Sequence, residues 1–125
     1  MEILIDSHVV VWWLSAPEKL TAQAREQIAN PANRVWVSAA SVWELGLKVG
    51  KGKLRMPRDF ARFLWNGGFE ELPISSRHAE VALGLPPLHA DPFDRMLIAQ
   101  AQAEGLVLMT RDHLIARYEL PLLGC

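Results

Sequence analysis

Apolar residues in this chain occur in short continuous runs, separated by segments in which they recur at helical spacing. Runs of three or four apolar residues without alternation are typical of strands buried on both faces, as in a parallel sheet. They predict strands at 3–5, 35–37 and 106–109. Two weaker runs predict an edge strand at 71–74, where a proline is tolerated, and a short last strand at 120–123.

Six helical segments lie between or beside these strands, and most begin at a residue that caps helices well. Thr21, Ser38 and Ser75 are expected N-caps, Ser7 is expected to cap the first helix, and Asp91 precedes a proline that suits the first helical turn. Another helix is expected to open at residue 57 and to end at a Gly-Gly pair. Alternating strands and helices predict one domain over 1–125: a three-layer α/β/α fold with a mostly parallel sheet of four to five strands.

Composition narrows the class of protein only a little. The 125 residues carry a net charge of −1, so no overall basic field argues for a nucleic-acid partner. The longest apolar run, 9–14, is too short to cross a membrane. Cys125 is the single cysteine and has no partner in the chain, which favours a reducing cytoplasm as its location.

Local patterns add two candidate surfaces. Segment 48–62 has six basic residues against one acid, and it is either a solvated loop or a contact for a polyanion. The run 9–14 and Trp65, which falls off the stripe formed by Phe60, Phe63 and Leu64, are expected to leave apolar surface for a partner protein.

Four acids fall at or near the ends of predicted elements. Asp6 and Asp112 follow buried strands, Glu44 lies in a helix, and Asp94 lies in the first turn of another. If the first and fourth long strands are neighbours, Asp6 and Asp112 face each other across the crevice where sheets of this kind bind ligands. Carboxylates gathered in this way need a cation, and the four histidines are scattered without metal-ligand spacing. Mg²⁺ or Mn²⁺ is therefore expected, with metal-assisted phosphodiester hydrolysis as the matching chemistry.

Four blocks of sequence resemble the successive motifs of a PIN domain, and most closely those of the VapC-type toxins of bacterial toxin–antitoxin modules. They are Leu-Ile-Asp-Ser-His at 4–8, Ser-Val-Trp-Glu-Leu at 41–45, the stretch 89–101, and Thr-Arg-Asp at 110–112. The likeness covers essentially the whole chain in the right order. It is a stronger signal than any of the blocks alone.

This resemblance implies the roles of individual residues. Asp6, Glu44, Asp94 and Asp112 would be the catalytic, metal-binding acids, while Asp91 would either reach the metal through water or only cap its helix. The hydroxyls of Ser7 and Thr110 would lie near the site. Two arginines, Arg95 and Arg111, would hold the scissile phosphate or pair with the acids.

The family resemblance also implies a function and partners. It predicts a Mg²⁺- or Mn²⁺-dependent endoribonuclease that cleaves RNA, often tRNA or rRNA, and is silenced by a cognate antitoxin. A homodimer is expected, and a heterotetramer or larger assembly with the antitoxin. In that setting, Lys51, Lys53 and Arg55 of the basic segment would contact the RNA backbone.

Two alternatives come from other classes of protein. A haloacid-dehalogenase-like phosphotransferase would need a second Asp two residues after Asp6, where His8 stands. The other alternative is a PIN-like scaffold that binds RNA or protein without cutting, and the four intact acids count against it.

Overall fold

The computed structural model describes all residues 1–125, and its centre is a five-stranded sheet. The strands β1 to β5 are Glu2–Ile5, Arg34–Ser38, Glu70–Leu72, Val107–Met109 and Leu122–Leu123. Their order across the sheet is β3-β2-β1-β4-β5, and every neighbouring pair is parallel. This confirms the predicted α/β class and parallel sheet, with β3 at one edge.

Six α-helices connect or flank the strands. Helices α1 to α6 are Ser7–Ser15, Ala22–Ala29, Ala39–Gly50, Phe60–Asn66, Ser76–Gly84 and Pro92–Glu104. Thr21, Ser38, Ser75 and Asp91 are N-caps as predicted. The first helix differs, because the Asp6 carboxylate accepts from the N–H of Val9 and caps α1, while Ser7 is its first residue. The helix predicted to open at residue 57 begins three residues later, at Phe60.

Two hydrophobic cores, one on each face of the sheet, make the fold three-layered. Successive residues of a strand point to opposite faces, and in β1 this places Ile3 and Ile5 in one core and Leu4 in the other. Buried residues of α1, α2 and α4 complete the first core. Buried residues of α6 complete the second, and α5 packs against α6.

Strand order reverses at β1, and this reversal creates the crevice predicted to hold the site. Strand β1 pairs with β4 on one side and β2 on the other, with Ile5 opposite Met109. The N–H of Asp6 donates to the carbonyl of Met109 at 3.1 Å, so the two chain segments leave the sheet side by side. Ligands of open parallel sheets bind at such a position.

The apolar surfaces expected on the first and fourth helices are arranged differently from the prediction. Val9 and Val10 are fully buried, and residues 11–14 are half-buried against the first core. In α4, Trp65 also packs on that core, whereas Phe63 of the predicted stripe is 54% exposed. Helix α4 has less than two turns, so its position against the sheet decides which aromatic residue is covered. None of the helices is long and apolar enough to cross a membrane.

Candidate active site

Asp6 lies at the carboxyl end of β1 and is only 4% exposed. Its carboxylate accepts from the N–H of Val9 at 2.9 Å and from the hydroxyl of Thr110, which follows β4. Burial raises the pKa of Asp6, and the neighbouring carboxylate of Asp112 adds to this rise. Asp6 therefore combines two tasks, as the cap of α1 and as an acid facing another acid.

Asp94 lies in the first turn of α6, where Asp91 fixes the start of the helix. The Asp91 carboxylate accepts from the N–H groups of Phe93 at 2.8 Å and Asp94 at 3.2 Å. Burial is the main cause that raises the pKa of Asp94 from 3.8 to about 6, with repulsion from Asp91 and Glu44 acting in the same direction and the hydrogen bond from His89 acting against it. Two further acids therefore act electrostatically on Asp94.

His89 lies between two of the acids, which the spacing of the histidines did not predict. Its Nε2 is 2.8 Å from Asp94 Oδ2 and 3.4 Å from Asp112 Oδ2. The N–H of Asp91 donates to Nδ1 at 3.4 Å, so the hydrogen-bond network assigns the role of donor to Nε2. His89 thereby orients Asp94. The position of His89 in the sequence, two residues before the N-cap Asp91, could have indicated this role, because the turn into α6 folds the ring over Asp94.

Glu44 reaches the same crevice from α3 and is 9% exposed. Ser7 Oγ donates to Glu44 Oε1 at 2.6 Å and lies 2.9 Å from Ser41 Oγ. Lys48 Nζ lies 3.6 Å from Glu44 Oε2, one turn further along the helix. The hydroxyl of Ser7 thus holds the carboxylate of Glu44, and a partly exposed ammonium group stands beside it.

Charge effects and the contacts of His89 link the four predicted acids into one cluster. The charge of Asp112 raises the pKa of Asp6, and the charge of Glu44 raises the pKa of Asp94. His89 Nε2 lies near carboxylate oxygens of both Asp94 and Asp112. The tightest part is a group of three, in which ligand atoms of His89, Asp94 and Asp112 all lie within 4.8 Å of one another. Asp6 and Glu44 are outside that group and flank it, because other hydrogen bonds hold their carboxylates.

Comparisons with known proteins identify the family of the chain. Residues 3–120 match the family described as PIN domain. The chain belongs to the PIN domain family. It is 28% identical over 122 residues to Ribonuclease VapC22 of Mycobacterium tuberculosis, covering 95% of this chain and 93% of that protein. The resemblance drawn from the four sequence blocks is thereby confirmed.

Solved structures show the same fold at low sequence identity. VapBC2 from Rickettsia felis, bound to a promoter DNA fragment, matches with a TM-score of 0.76 at 16% identity, over 99% of this chain and 98% of that chain. A toxin–antitoxin complex from Klebsiella pneumoniae matches with a TM-score of 0.69 at 19% identity, over 97% and 95% of the two chains.

The two arginines expected at the site of this PIN domain bind backbone carbonyls instead of acids. The Arg95 guanidinium donates to the carbonyls of Ala82, Leu85 and Pro86 at 2.9–3.1 Å, and so holds the end of α5 against α6. Arg111 donates to the carbonyls of Lys19 and Cys125 and lies over the ring of Trp12 at 4.3 Å. Of the two roles expected for these arginines, pairing with the acids is not observed, because carbonyls at the ends of elements take their donors. Contact with the scissile phosphate stays a prediction.

The basic segment 48–62 of the PIN domain runs from the end of α3 into α4. Lys51, Lys53 and Arg55 are exposed and make no ion pair, while Arg62 pairs with Asp59. Lys48 is the one member that touches an acid of the cluster. The segment therefore begins beside the site at Lys48, and Lys51, Lys53 and Arg55 add exposed charges without an acidic partner.

Proposed function

We propose that this PIN domain is a metal-dependent endoribonuclease and the toxin of a toxin–antitoxin pair. The observation that carries the proposal is the convergence of Asp6, Glu44, Asp94 and Asp112 on the crevice at the switch point of the sheet. Membership of the PIN family and the ribonuclease name of the Mycobacterium relative support the same activity.

The residues present fit a divalent cation. Four carboxylates converge, and the pKa values of Asp6 and Asp94 are raised, so the cluster is short of positive charge. Asp6, Glu44, Asp94 and Asp112 would hold Mg²⁺ or Mn²⁺ through oxygen, the donor that these ions prefer. Such an ion supplies Lewis-acid stabilisation of phosphate charge and lowers the pKa of a water molecule.

The remaining side chains would position these acids and the substrate. Ser7 and His89 each donate a hydrogen bond to one acid, and Thr110 donates to Asp6, so three carboxylates are oriented before any ligand arrives. Lys48 is placed to neutralise a phosphate oxygen beside Glu44. Lys51, Lys53 and Arg55 would then contact the RNA backbone that continues from the site.

The proposed partners and location follow from the same assignment. Solved structures of the same fold include toxin–antitoxin complexes. A cognate antitoxin would cover the acids of this chain, and a homodimer would assemble with it into a heterotetramer or larger complex. We place the protein in the cytoplasm, with tRNA or rRNA as its substrate.

The deciding experiment compares RNA cleavage by the wild type and by Asp94→Asn, in Mn²⁺ and in EDTA, with the products sequenced. We expect cutting only by the wild type in Mn²⁺, with a rate loss of at least about a hundredfold in the variant. A raised melting temperature in Mn²⁺, absent in Asp6→Asn, would report metal binding independently of activity. RNA that binds but stays intact under all conditions would favour the scaffold instead.

A further inference from the structure

An aromatic pair, the exposed Trp43 and the half-buried Phe93, adjoins two acids of the cluster in sequence. Trp43 precedes Glu44 on α3, and Phe93 precedes Asp94 on α6. Their ring centroids are 5.3 Å apart at an interplanar angle of 69°, which is an edge-to-face contact. Trp43 is nevertheless 64% exposed, and neither ring belongs to the two hydrophobic cores.

The pair is not explained by packing. A large aromatic side chain gains stability by burial, and Trp43 leaves most of its surface in water. The contact with Phe93 limits the rotation of the indole without covering it. The result is an ordered ring with an open face, one residue along the chain from an acid on each of two helices.

The charges nearby indicate what the open face binds. Lys48 lies on the next turn of α3 and is partly exposed, and Lys51 and Lys53 continue from it without an ion pair. Aromatic side chains interleaved with cations along a groove are the usual platform for single-stranded nucleic acid. Leu47 is also exposed on α3, and an exposed apolar residue would suit contact with a helix of a partner protein. Lysine is depleted in protein interfaces, however, so the neighbouring lysines favour nucleic acid.

We infer that Trp43, braced by Phe93, stacks on an unpaired nucleobase next to the phosphate held at the acid cluster. This inference rests on the proposed ribonuclease function and deepens it, since it assigns a single-stranded substrate. Stacking on one ring does not read the base through hydrogen bonds, so the platform selects an unpaired base rather than a sequence.

Binding of a single-stranded oligoribonucleotide tests the assignment. The measurement is fluorescence anisotropy in the Asp94→Asn background, with Trp43→Leu, Trp43→Phe and, as the matched control on the same helix, Leu47→Ala. We expect Trp43→Leu to weaken binding about fivefold or more, Trp43→Phe to retain most of the affinity and Leu47→Ala to change little. Unchanged melting temperatures will show that the variants are folded, as the exposure of Trp43 predicts.

A second arm identifies the stacked base directly. An abasic site is placed at each position of the oligonucleotide in turn, and one position should reproduce the loss seen in Trp43→Leu. At that position, the abasic site and the Trp43→Leu substitution together should weaken binding no more than either alone.

Three outcomes would overturn the inference. The first is RNA affinity that Trp43→Leu leaves unchanged, and the second is an abasic penalty that adds fully to the substitution. The third is a Trp43→Leu variant that binds RNA normally but no longer co-purifies with the antitoxin, which would assign the ring to the protein partner. If the wild type cuts RNA, any of these outcomes refutes only the stacking role of Trp43. If the wild type neither binds nor cuts RNA, the proposed function is refuted as well.

Discussion

Replacing Asp94 by Asn should make the metal-free protein more stable at neutral pH. The carboxyl group of Asp94 is mostly buried, with 18% of its side chain exposed, and it faces other acids. Its pKa is raised from 3.8 to about 6. At about 1.4 kcal/mol per pKa unit, ionised Asp94 costs the folded chain about 3 kcal/mol at pH 7.

The dependence on pH has a definite sign. Between pH 3.8 and about 6, the folded chain holds more protons at Asp94 than the unfolded chain does. Stability from this residue therefore falls as pH rises through that window, and the full cost is present above it. Asparagine has no such dependence and still accepts a hydrogen bond from His89. The advantage of Asp94→Asn should be largest at pH 7–8 and should vanish near pH 4.

Thermal melts in EDTA over pH 4–8 measure this difference. About 3 kcal/mol corresponds to a rise of roughly 10–15 °C in a domain of this size. Glu80→Gln is the matched control, because Glu80 is exposed and makes no ion pair. Millimolar Mn²⁺ should reverse the order by stabilising only the wild type. The reasoning is refuted if Asp94→Asn melts no higher than the wild type at pH 7.5 in EDTA.

Two other changes test the remaining charged groups. Arg95→Ala should lower the free energy of unfolding, measured by urea denaturation, by about 2–4 kcal/mol, because several carbonyls at the end of α5 lose a charged donor. An effect below about 1 kcal/mol would mean that water replaces the guanidinium. Replacing Lys51, Lys53 and Arg55 together by Ala should lower the slope of log affinity against log salt by about 2 for single-stranded RNA and leave stability unchanged. An unaltered slope would mean that the segment is a solvated loop.

The fold was predictable because its signals are local and agree with one another. Continuous apolar runs fixed the strands, and Thr21, Ser38, Ser75 and Asp91 marked helix starts that the structure has. The pairing of β1 with β4 was only a condition in the prediction, since no local pattern determines which parallel strands are neighbours. That pairing brings the ends of β1 and β4 together.

The composition of the site was less predictable than the four acids suggest. The family resemblance implied that Arg95 and Arg111 would hold phosphate or pair with the acids, but both donate to backbone carbonyls. The positions of those carbonyls depend on where α5 ends and on where the end of the chain packs. His89 joins the site because the turn before α6 folds it over Asp94. The exposure of Trp43 depends on how α3 lies against α6, which helical periodicity leaves open.

Two aspartates of this site, Asp6 and Asp91, are also the N-caps of helices, and this determines which substitutions can test them. Asp6 caps α1 and Asp91 caps α6, so each carboxylate binds backbone N–H groups and also acts on the charge of the cluster, Asp6 directly and Asp91 through Asp94. Replacement by Ala would remove the charge and also cost about 1 kcal/mol of capping. Asparagine caps as well as aspartate and removes only the charge. If Asp6→Asn and Asp6→Ala both lose the Mn²⁺-induced rise in melting temperature while Asp6→Ala is less stable than Asp6→Asn in EDTA, the two roles of Asp6 are separated.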